Sequence, residues 1–385
     1  MKQFEFKMPT KIQFGVGATS QLGKTMKSLG FRKIFIVTGS TIGKSAILAK
    51  AKEALSAEGI EYEVYDQLTA EPNVKQIDIG AKVLKESQSD AVVAIGGGSR
   101  IDAAKAMCVL QNHEGSIADY LFGGTKTVSK TVMPLICMPT TAGSGSEVTG
   151  VSVVNDEDRG VKVSVTHEYL IPKLAIIDPE LHVDMPKLIA ATTGMDALTH
   201  AIESYVSLNA EPVSDSLGYG AMKMIGENLR KVIENGGDVE ARGNMAIAST
   251  MAGVAFVNGG LGVVHGIAQA IGAIADVSHG VANGLILPYA MKKNIQGNYK
   301  KFKEIAIALG ENVTGLSDEK AAEKSVDAVF ALARDVGAPM KLSEVGVTQE
   351  MFPEIIKGTM AYRLLAINPR KLNEEDIEDI LNDAF

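Results

Sequence analysis

The character of this 385-residue sequence changes near Met185-Pro186. Before that point, short apolar runs alternate with helix-like stretches, and the runs are apolar throughout rather than at every second residue. Such runs are typical of parallel strands that helices cover on both faces. After it, apolar residues recur at helical spacing and β-branched runs nearly vanish. Because single cores stop growing at roughly 250 to 300 residues, we predict two domains, residues 1–183 and 184–385.

The first half is predicted to be an α/β dinucleotide-binding domain with a Rossmann-like parallel sheet, since strand and helix patterns alternate along it. Its predicted strands are KIFIVT (33–38), EYEVY (61–65), DAVVAI (90–95), PLICMP (134–139) and KLAIID (173–178). The second half is predicted to be all-helical. Its helix candidates span residues 188–207, 215–236, 241–258, 261–275 and 301–311.

Charge and composition exclude several classes of function. The net charge of -8, with no cluster of Lys and Arg, argues against nucleic-acid binding and favours small-molecule partners. Because no window approaches the roughly 20 apolar residues of a membrane span, and the N-terminus has no apolar signal region, we expect a cytoplasmic protein without membrane partners. The two cysteines, Cys108 and Cys137, are too few for a thiolate metal cage and are predicted to be buried.

Two glycine-containing loops indicate phosphate binding. Gly96, Gly97 and Gly98 separate the strand DAVVAI from a helix that starts near Ser99. Glycine lets the backbone approach an anion that the helix amides then bind, although a plain tight turn would look the same. A second loop, PTTAGSGSEVT (139–149), follows the next apolar strand. Two such strand ends can present amides and hydroxyls to one diphosphate.

A competing pattern is GSTIGKS at residues 39–45, which follows the strand KIFIVT as an ATPase P-loop would. That motif requires glycine, four residues, and then Gly-Lys-Ser/Thr, which here would place glycine at Thr38. The loop is one residue too short, which disfavours the ATPase interpretation.

Four residues of the second half form a candidate metal site. Asp196 and His200 are four residues apart in a helical pattern and therefore lie on one face of the helix. His265 and His279 follow, each succeeded by glycine. One carboxylate and three imidazoles match ligand sets for zinc or ferrous iron. A lone histidine on an apolar helix is usually a packed, hydrogen-bonded residue, but here three of the six histidines fall in such stretches.

The remaining histidines, His113, His167 and His182, stand in polar, loop-like settings and are predicted to lie at the surface. Small and apolar residues near the metal-site stretches favour a short-chain substrate. These residues are Gly150, Val151, Val254, Phe256 and Val257.

The chain resembles the iron-containing (group III) alcohol dehydrogenases, which include lactaldehyde reductase and 1,3-propanediol dehydrogenase. The resemblance covers the chain and rests on GGGSRIDAAKA, PTTAGSGSEVT, GMDALTHAIESY, GVVHGIAQAIG and SHGVANGLILPY, in the order of the family. It implies hydride transfer between NAD(H) or NADP(H) and a short-chain alcohol or aldehyde. It further implies a homodimer or larger oligomer that assembles through residues 4–14, approximately. The implied ligands of one divalent metal, Fe²⁺ or alternatively Zn²⁺, are Asp196, His200, His265 and His279.

The resemblance also implies a set of cofactor-binding residues. They are Gly39, Ser40, Asn73, Gly97, Gly98, Ser99, Asp102, Thr140, Thr141, Gly143 and Lys162. Gly39 replaces a frequent aspartate that binds the adenosine ribose, which leaves NAD and NADP both open. Arg100 replaces a frequent proline and either adds a cation near the phosphates or lies on the surface.

His265 and Gln269 are the implied catalytic positions. Gln269, one helical turn past His265, replaces a frequent histidine that assists proton transfer. Because glutamine does not titrate near neutral pH, we expect the proton to move through water, a cofactor ribose hydroxyl or another group.

Two alternatives stay open at this point. One is a non-redox lyase like dehydroquinate synthase, which pairs a similar nucleotide domain with a metal in a helical domain. Its phosphate-rich substrate would require several Lys and Arg around the metal helices, where this chain has almost none. The other is a nucleotide-binding or scaffolding protein that has lost catalysis, which the absence of histidine at position 269 suggests. The intact set of four metal ligands argues against it.

Overall fold

The computed structural model describes residues 3–69 and 71–385. Contacts within the chain divide it into two compact units. One, the α/β unit, comprises Met8–Thr141 and Ser146–Val183. The other, the helical unit, comprises Ala142–Gly145, Asp184–Phe385 and a segment that ends at Lys7.

The α/β unit is built on a six-stranded parallel sheet. Along the chain the strands are β1 (Lys11–Phe14), β2 (Lys33–Gly39), β3 (Glu61–Leu68), β4 (Ala91–Gly96), β5 (Leu135–Pro139), β6 (Val151–Asp156), β7 (Val161–Thr166) and β8 (Leu174–Ile177). The sheet has the order β1-β8-β5-β4-β2-β3, and every pairing in it is parallel. The five predicted strands and the predicted parallel sheet are confirmed. Of the N-terminal stretch 4–14, residues 11–14 form a strand.

Successive residues of the central strands pack into two separate hydrophobic clusters. Ile34 and Ile36 of β2 belong to one cluster, whereas Phe35 and Val37 belong to the other. All four are fully buried. Since neighbouring strand residues point to opposite faces, both faces of the sheet are covered, which explains why these strands are apolar at every position.

Helices pack against both faces of this sheet. They are α1 (Leu22–Ser28), α2 (Ser40–Gly43), α3 (Ala46–Ala57), α4 (Val74–Ser87) and α5 (Gly98–Asn112). Asn73 caps α4, because its side chain accepts a hydrogen bond from the Gln76 amide at 2.9 Å and the Gln76 side chain accepts one from the Asn73 amide.

An antiparallel hairpin, β6 and β7, lies outside the main sheet. This hairpin was not predicted from the sequence. In β6, Ser152 and Val154 are buried whereas Val153 is 47% exposed, so the strand alternates instead of forming a continuous apolar run.

The described residues of the helical unit form no strand, which confirms the predicted helical second half. Its helices are α6 (Lys187–Val206), α7 (Pro212–Glu234), α8 (Val239–Gly259), α9 (Val263–Ile274), α10 (His279–Asn294), α11 (Tyr299–Ala308), α12 (Asp318–Asp335), α13 (Phe352–Met360) and α14 (Glu374–Ala384). α6 is buried along almost its whole length and contacts α7, α8, α10 and α11.

The five predicted helix candidates correspond to α6, α7, α8, α9 and α11. The helices α12, α13 and α14 were not predicted, nor was α10, because Gly280, Gly284 and Pro288 interrupt the helical pattern of α10. Gly284 has a packing role: a Cβ there would lie 2.8 Å from the Met195 Cβ, so glycine lets α10 approach α6 closely. Among the described residues, no single helix is long and apolar enough to span a membrane; α8 and α9 reach that length and composition only together, across a bend of 103°.

Candidate metal centre

Asp196, His200, His265 and His279 meet at one point of the helical unit. α6 carries Asp196 and His200, α9 carries His265, and α10 begins with His279. One side-chain nitrogen or oxygen from each of the four lies within 4.8 Å of the others. The first three residues are buried and His279 is exposed. The structure therefore brings together all four residues that the sequence predicted as metal ligands.

The loop Ala142–Gly145 fixes the orientation of His200. The Nδ1 atom of His200 lies 3.1 Å from the carbonyl oxygen of Gly143. Since a carbonyl only accepts, Nδ1 carries the proton and Nε2 keeps its lone pair for a metal. Position 143 requires glycine, because a Cβ there would lie 2.7 Å from the Thr193 Cβ and 2.8 Å from the Thr193 carbonyl oxygen.

Glu203 fixes His265 in the same way. Its Oε2 atom accepts from Nδ1 of His265 at 2.6 Å, and its Oε1 atom accepts from the Val264 amide at 2.7 Å. Glu203 is 3% exposed, so both contacts are shielded from water. A carboxylate that hydrogen-bonds to a metal-binding histidine orients the ring and increases its basicity. Nε2 of His265 is thus directed toward the other three ligands.

The protonation states of Asp196 and His200 suit metal binding. Burial lowers the pKa of His200 to about 3, so the ring is neutral at physiological pH. Burial alone would raise the pKa of Asp196, but the three imidazoles and a hydrogen bond from Asn283 outweigh it and hold that pKa below its usual value. A metal ion needs this combination of ionised carboxylate and neutral imidazole.

Asn283 of α10 shows that these ligand atoms suit a cation. Its amide nitrogen lies 2.7 Å from Asp196 Oδ1, 3.1 Å from His265 Nε2 and 3.0 Å from His279 Nε2. An amide group has two hydrogens and cannot satisfy three acceptors at once. The Asn283 amide oxygen is buried and has no hydrogen-bond partner among the described residues. A divalent cation would satisfy all the converging lone pairs, and the absence of thiolate from this set fits ferrous iron or zinc.

The carboxyl ends of β5, β4 and β2 lie side by side in the sheet. Gly97, Gly98 and Ser99 follow β4 and open α5, while Thr140 and Thr141 follow β5. The Thr140 amide donates to the Gly96 carbonyl at 3.0 Å, and a Cβ at Gly97 would lie 3.2 Å from the Thr141 hydroxyl. Gly39 and Ser40 stand at the end of β2. The structure brings these predicted cofactor residues to one edge of the sheet.

The other predicted cofactor residues have contacts of their own. Asn73 caps α4 and forms a bridge to Asn155, whose partner on β7 is Lys162. Lys162 forms an ion pair with Glu71 at 2.8 Å. Gly143 belongs to the helical unit, where its carbonyl contacts His200.

Asp102 stabilises the second loop, residues 139–149, and the strand β6 that follows it. It accepts hydrogen bonds from the Ser146 hydroxyl at 2.5 Å and the Val153 amide at 3.0 Å. Lys105, which is fully buried, lies 3.6 Å from Asp102 and donates to Ser146, Thr149 and the Val151 carbonyl. Burial raises the pKa of Asp102 and lowers that of Lys105.

Models of one protein family match nearly the whole chain. Residues 9–179 match iron-containing alcohol dehydrogenase, and residues 190–385 match the C-terminal part of the Fe-containing alcohol dehydrogenase family. The chain is 38% identical to the NAD-dependent methanol dehydrogenase of Bacillus methanolicus, over 99% of each chain. It is 37% identical to the 1,3-propanediol dehydrogenase of Klebsiella pneumoniae, over 100% of this chain and 99% of the relative. A crystal structure of 1,3-propanediol oxidoreductase superposes with a TM-score of 0.96 at 36% identity and covers 100% of both chains.

The chain belongs to the iron-containing alcohol dehydrogenase family.

The resemblance that the sequence motifs indicated is thereby confirmed, and the chain is an oxidoreductase of the alcohol dehydrogenase class. The matched proteins are dehydrogenases, and no observation favours the dehydroquinate-synthase-like alternative.

Three contributors to the metal centre of this alcohol dehydrogenase were not predicted from the sequence: Glu203, Asn283 and the Gly143 carbonyl. Glu203 lies three residues past His200 on α6, and this spacing within an apolar helix was the one available signal. The partner of Glu203 is 62 residues away in the chain, so local spacing could not show it. Gln269 lies on α9 with an exposed side chain.

The prediction that His182 lies at the surface is wrong. His182 is fully buried at the end of a short 3-10 helix, Pro179–His182, beside the buried Leu181. The charged residues near it in the sequence suggested a loop at the surface. Polar neighbours in the sequence do not determine which side of a short helix packs inward. His113 and His167 are partly exposed, and Cys108 and Cys137 are buried as predicted.

Proposed function

We propose that this chain is a metal- and NAD(P)-dependent alcohol dehydrogenase that also reduces short-chain aldehydes. The observation that carries the proposal is the convergence of Asp196, His200, His265 and His279, with two of the rings fixed by Gly143 and Glu203. The proposed metal is Fe²⁺, with Zn²⁺ as the alternative. A divalent ion bound here supplies a Lewis acid for polarising a carbonyl or alcohol oxygen.

The residues at the sheet edge are proposed to bind the dinucleotide. Gly97, Gly98 and Ser99 at the start of α5 offer backbone amides to a diphosphate, and Thr140 and Thr141 add hydroxyls. The proposed contacts further include Gly39, Ser40, Asn73, Asp102, Gly143 and Lys162. A bound nicotinamide supplies the hydride chemistry. Asp102 acts by stabilising the second loop through Ser146.

The ring of Phe256 shields the metal-binding face of α6. It stacks on His200 with the ring centroids 4.6 Å apart, and Val254, two residues earlier on α8, is buried. Such apolar neighbours exclude water and favour a short aliphatic substrate. Gln269 is neutral at all relevant pH values, so it can position a proton carrier by hydrogen bonding but cannot itself accept the proton.

Replacement of His265 by alanine tests the proposal. We expect His265→Ala to lose bound metal, measured by elemental analysis, together with the oxidation of NADH or NADPH by short aldehydes. His167→Ala is the control, because His167 lies in the α/β unit and its side chain contacts Tyr169. Full activity in a metal-free His265→Ala protein would refute the metal assignment. A wild-type protein that oxidises neither NADH nor NADPH would refute the dehydrogenase function for this chain.

We also propose that the protein is a homodimer or larger oligomer that assembles through β1. This strand is at the edge of the sheet, where its outer amide and carbonyl groups can pair with another strand. Phe14 is 48% and Val16 is 66% exposed, which is unusual for an unprotected edge. Phe14→Lys should shift the protein to a smaller species in analytical ultracentrifugation, whereas an unchanged mass would refute this interface. A cytoplasmic location stays a prediction.

A further inference from the structure

The side chain of Arg100 packs against Gly39. A Cβ at position 39 would lie 2.7 Å from Nε and 2.9 Å from Nη2 of Arg100. The backbone of Gly39 is extended, with φ −104° and ψ 165°, so its conformation does not require glycine. What the missing side chain provides at position 39 is room for the guanidinium group.

Arg100 connects two neighbouring strand ends. It lies in the first turn of α5, and its Cγ atom would be 2.7 Å from a Cβ at Gly96, the last residue of β4. β2 and β4 pair in parallel, so Gly39 and Gly96 end adjacent strands on the same edge of the sheet. The Arg100 side chain therefore runs from the end of β4 to the end of β2.

The position is one where α/β sheets distinguish cofactors. Ligands bind beyond the carboxyl ends of parallel strands, and an acidic side chain near the diphosphate loop binds the ribose hydroxyls of NAD. An arginine there accommodates the 2′-phosphate of NADP instead. Its planar group presents five N–H donors that match phosphate oxygens in pairs. Here position 39 offers no carboxylate, and a partly buried cation occupies the space beside it.

We propose that Arg100, admitted by Gly39, binds the 2′-phosphate of the adenosine ribose, so that the enzyme prefers NADP(H) to NAD(H). The inference rests on the proposed function, which places the dinucleotide diphosphate at the loops after β4 and β5. Of the two roles open to Arg100, its packing between Gly39 and Gly96 favours recognition of phosphate over a place on the surface.

Isothermal titration with two nucleotide fragments tests this inference without turnover. Adenosine 2′,5′-bisphosphate carries the 2′-phosphate, and adenosine 5′-monophosphate lacks it. We expect the wild-type protein to bind the bisphosphate about tenfold more tightly or better, since hydrogen bonds to charged groups have effects of that order. Arg100→Gln should abolish the difference between the two fragments.

Arg32→Gln is the matched control. Arg32 is exposed and directly precedes β2, so this variant removes the same charge at the opposite end of the same strand. It should retain the preference for the bisphosphate. Gly39→Asp is a second, independent variant: its carboxylate competes for the guanidinium and repels a 2′-phosphate, so kcat/KM should shift from NADPH toward NADH. This variant tests the inference even if Arg100→Gln does not fold.

The outcomes separate this inference from the proposed function. Equal affinities for the two fragments in the wild type, or a preference that survives Arg100→Gln, would overturn the role of Arg100 while the dinucleotide site stands. If neither fragment binds and neither NADH nor NADPH is oxidised, the proposed function itself fails. A preference that Arg100→Gln and Gly39→Asp both remove, and that Arg32→Gln keeps, supports the inference.

Discussion

Replacement of Glu203 by glutamine should weaken metal binding more than it weakens the fold. The two carboxylate oxygens of Glu203 accept from two N–H groups, Nδ1 of His265 and the amide of Val264. Glutamine offers one oxygen and one NH₂ group. One of the two N–H groups would then face another hydrogen-bond donor. His265 can relieve this conflict only by moving its proton to Nε2, the atom that faces the metal.

The size of the effect follows from these contacts. Loss of a group that hydrogen-bonds to a metal-binding histidine weakens metal affinity about 10- to 100-fold. That range corresponds to about 1.4 to 2.7 kcal/mol. A single hydrogen bond to a charged group contributes a similar amount, about 1.5 to 3 kcal/mol. We therefore expect Glu203→Gln to reduce the affinity for Zn²⁺ or Fe²⁺ by one to two orders of magnitude.

Competition between the protein and a chromogenic chelator for Zn²⁺ measures this affinity, and urea unfolding in excess chelator measures the fold alone. Glu211→Gln is a matched control. Glu211 is 4% exposed and likewise accepts from two N–H groups, the amides of Val213 at 2.8 Å and Ser214 at 2.6 Å. It caps α7 and is not one of the metal-site residues.

Glu211→Gln should cost a similar free energy of unfolding and leave Zn²⁺ affinity unchanged. If Glu203→Gln binds Zn²⁺ as tightly as the wild type, Glu203 does not set the proton position of His265. Equal losses of Zn²⁺ affinity in both variants would show that the effect is a general loss of stability.

Two further predictions concern the α/β unit. Lys105→Met leaves the Asp102 carboxylate without its buried partner, so it should lower the free energy of unfolding by about 3 kcal/mol or more. Urea unfolding measures this change, and a loss near zero would refute a stabilising role of the ion pair. Cys108 and Cys137 are fully buried, and burial raises the pKa of both thiols. Both should therefore resist iodoacetamide in the native protein and react after unfolding, as followed by mass spectrometry, whereas rapid native labelling would contradict their burial.

The sequence was most informative where the pattern is local. The parallel sheet could be predicted because strands covered on both faces are apolar at every position, as Ile34 to Val37 are. Asp196 and His200 could be paired because one helical turn separates them. The hairpin β6–β7 could not be predicted in this way, because β6 alternates between buried and more exposed residues instead of being apolar throughout.

The orientation of the metal ligands could not be predicted, because it depends on contacts between distant segments. His200 is fixed by a carbonyl 57 residues earlier in the chain, and a backbone carbonyl has no sequence signature. Asn283 reaches Asp196 across 87 residues. His265 and His279 could be grouped with the aspartate by their ligand type, but no local spacing connects them to it. The position of these two histidines depends on how α9 and α10 pack on α6. The spacing of apolar residues in a helix does not show which other helix it packs against.

The loop Ala142–Gly145 has a consequence for how this protein can be divided. The chain passes from one unit to the other after Lys7, after Thr141, after Gly145 and after Val183, so neither unit is a continuous piece of sequence. A C-terminal fragment that begins at Asp184 would contain every metal ligand. It would lack the Gly143 carbonyl, which holds His200 in its metal-binding tautomer. If the helical unit were exchanged between relatives, the loop Ala142–Gly145 would likewise have to be exchanged with it. The natural module for recombination is therefore the whole helical unit, with its short inserted loop and the segment that ends at Lys7.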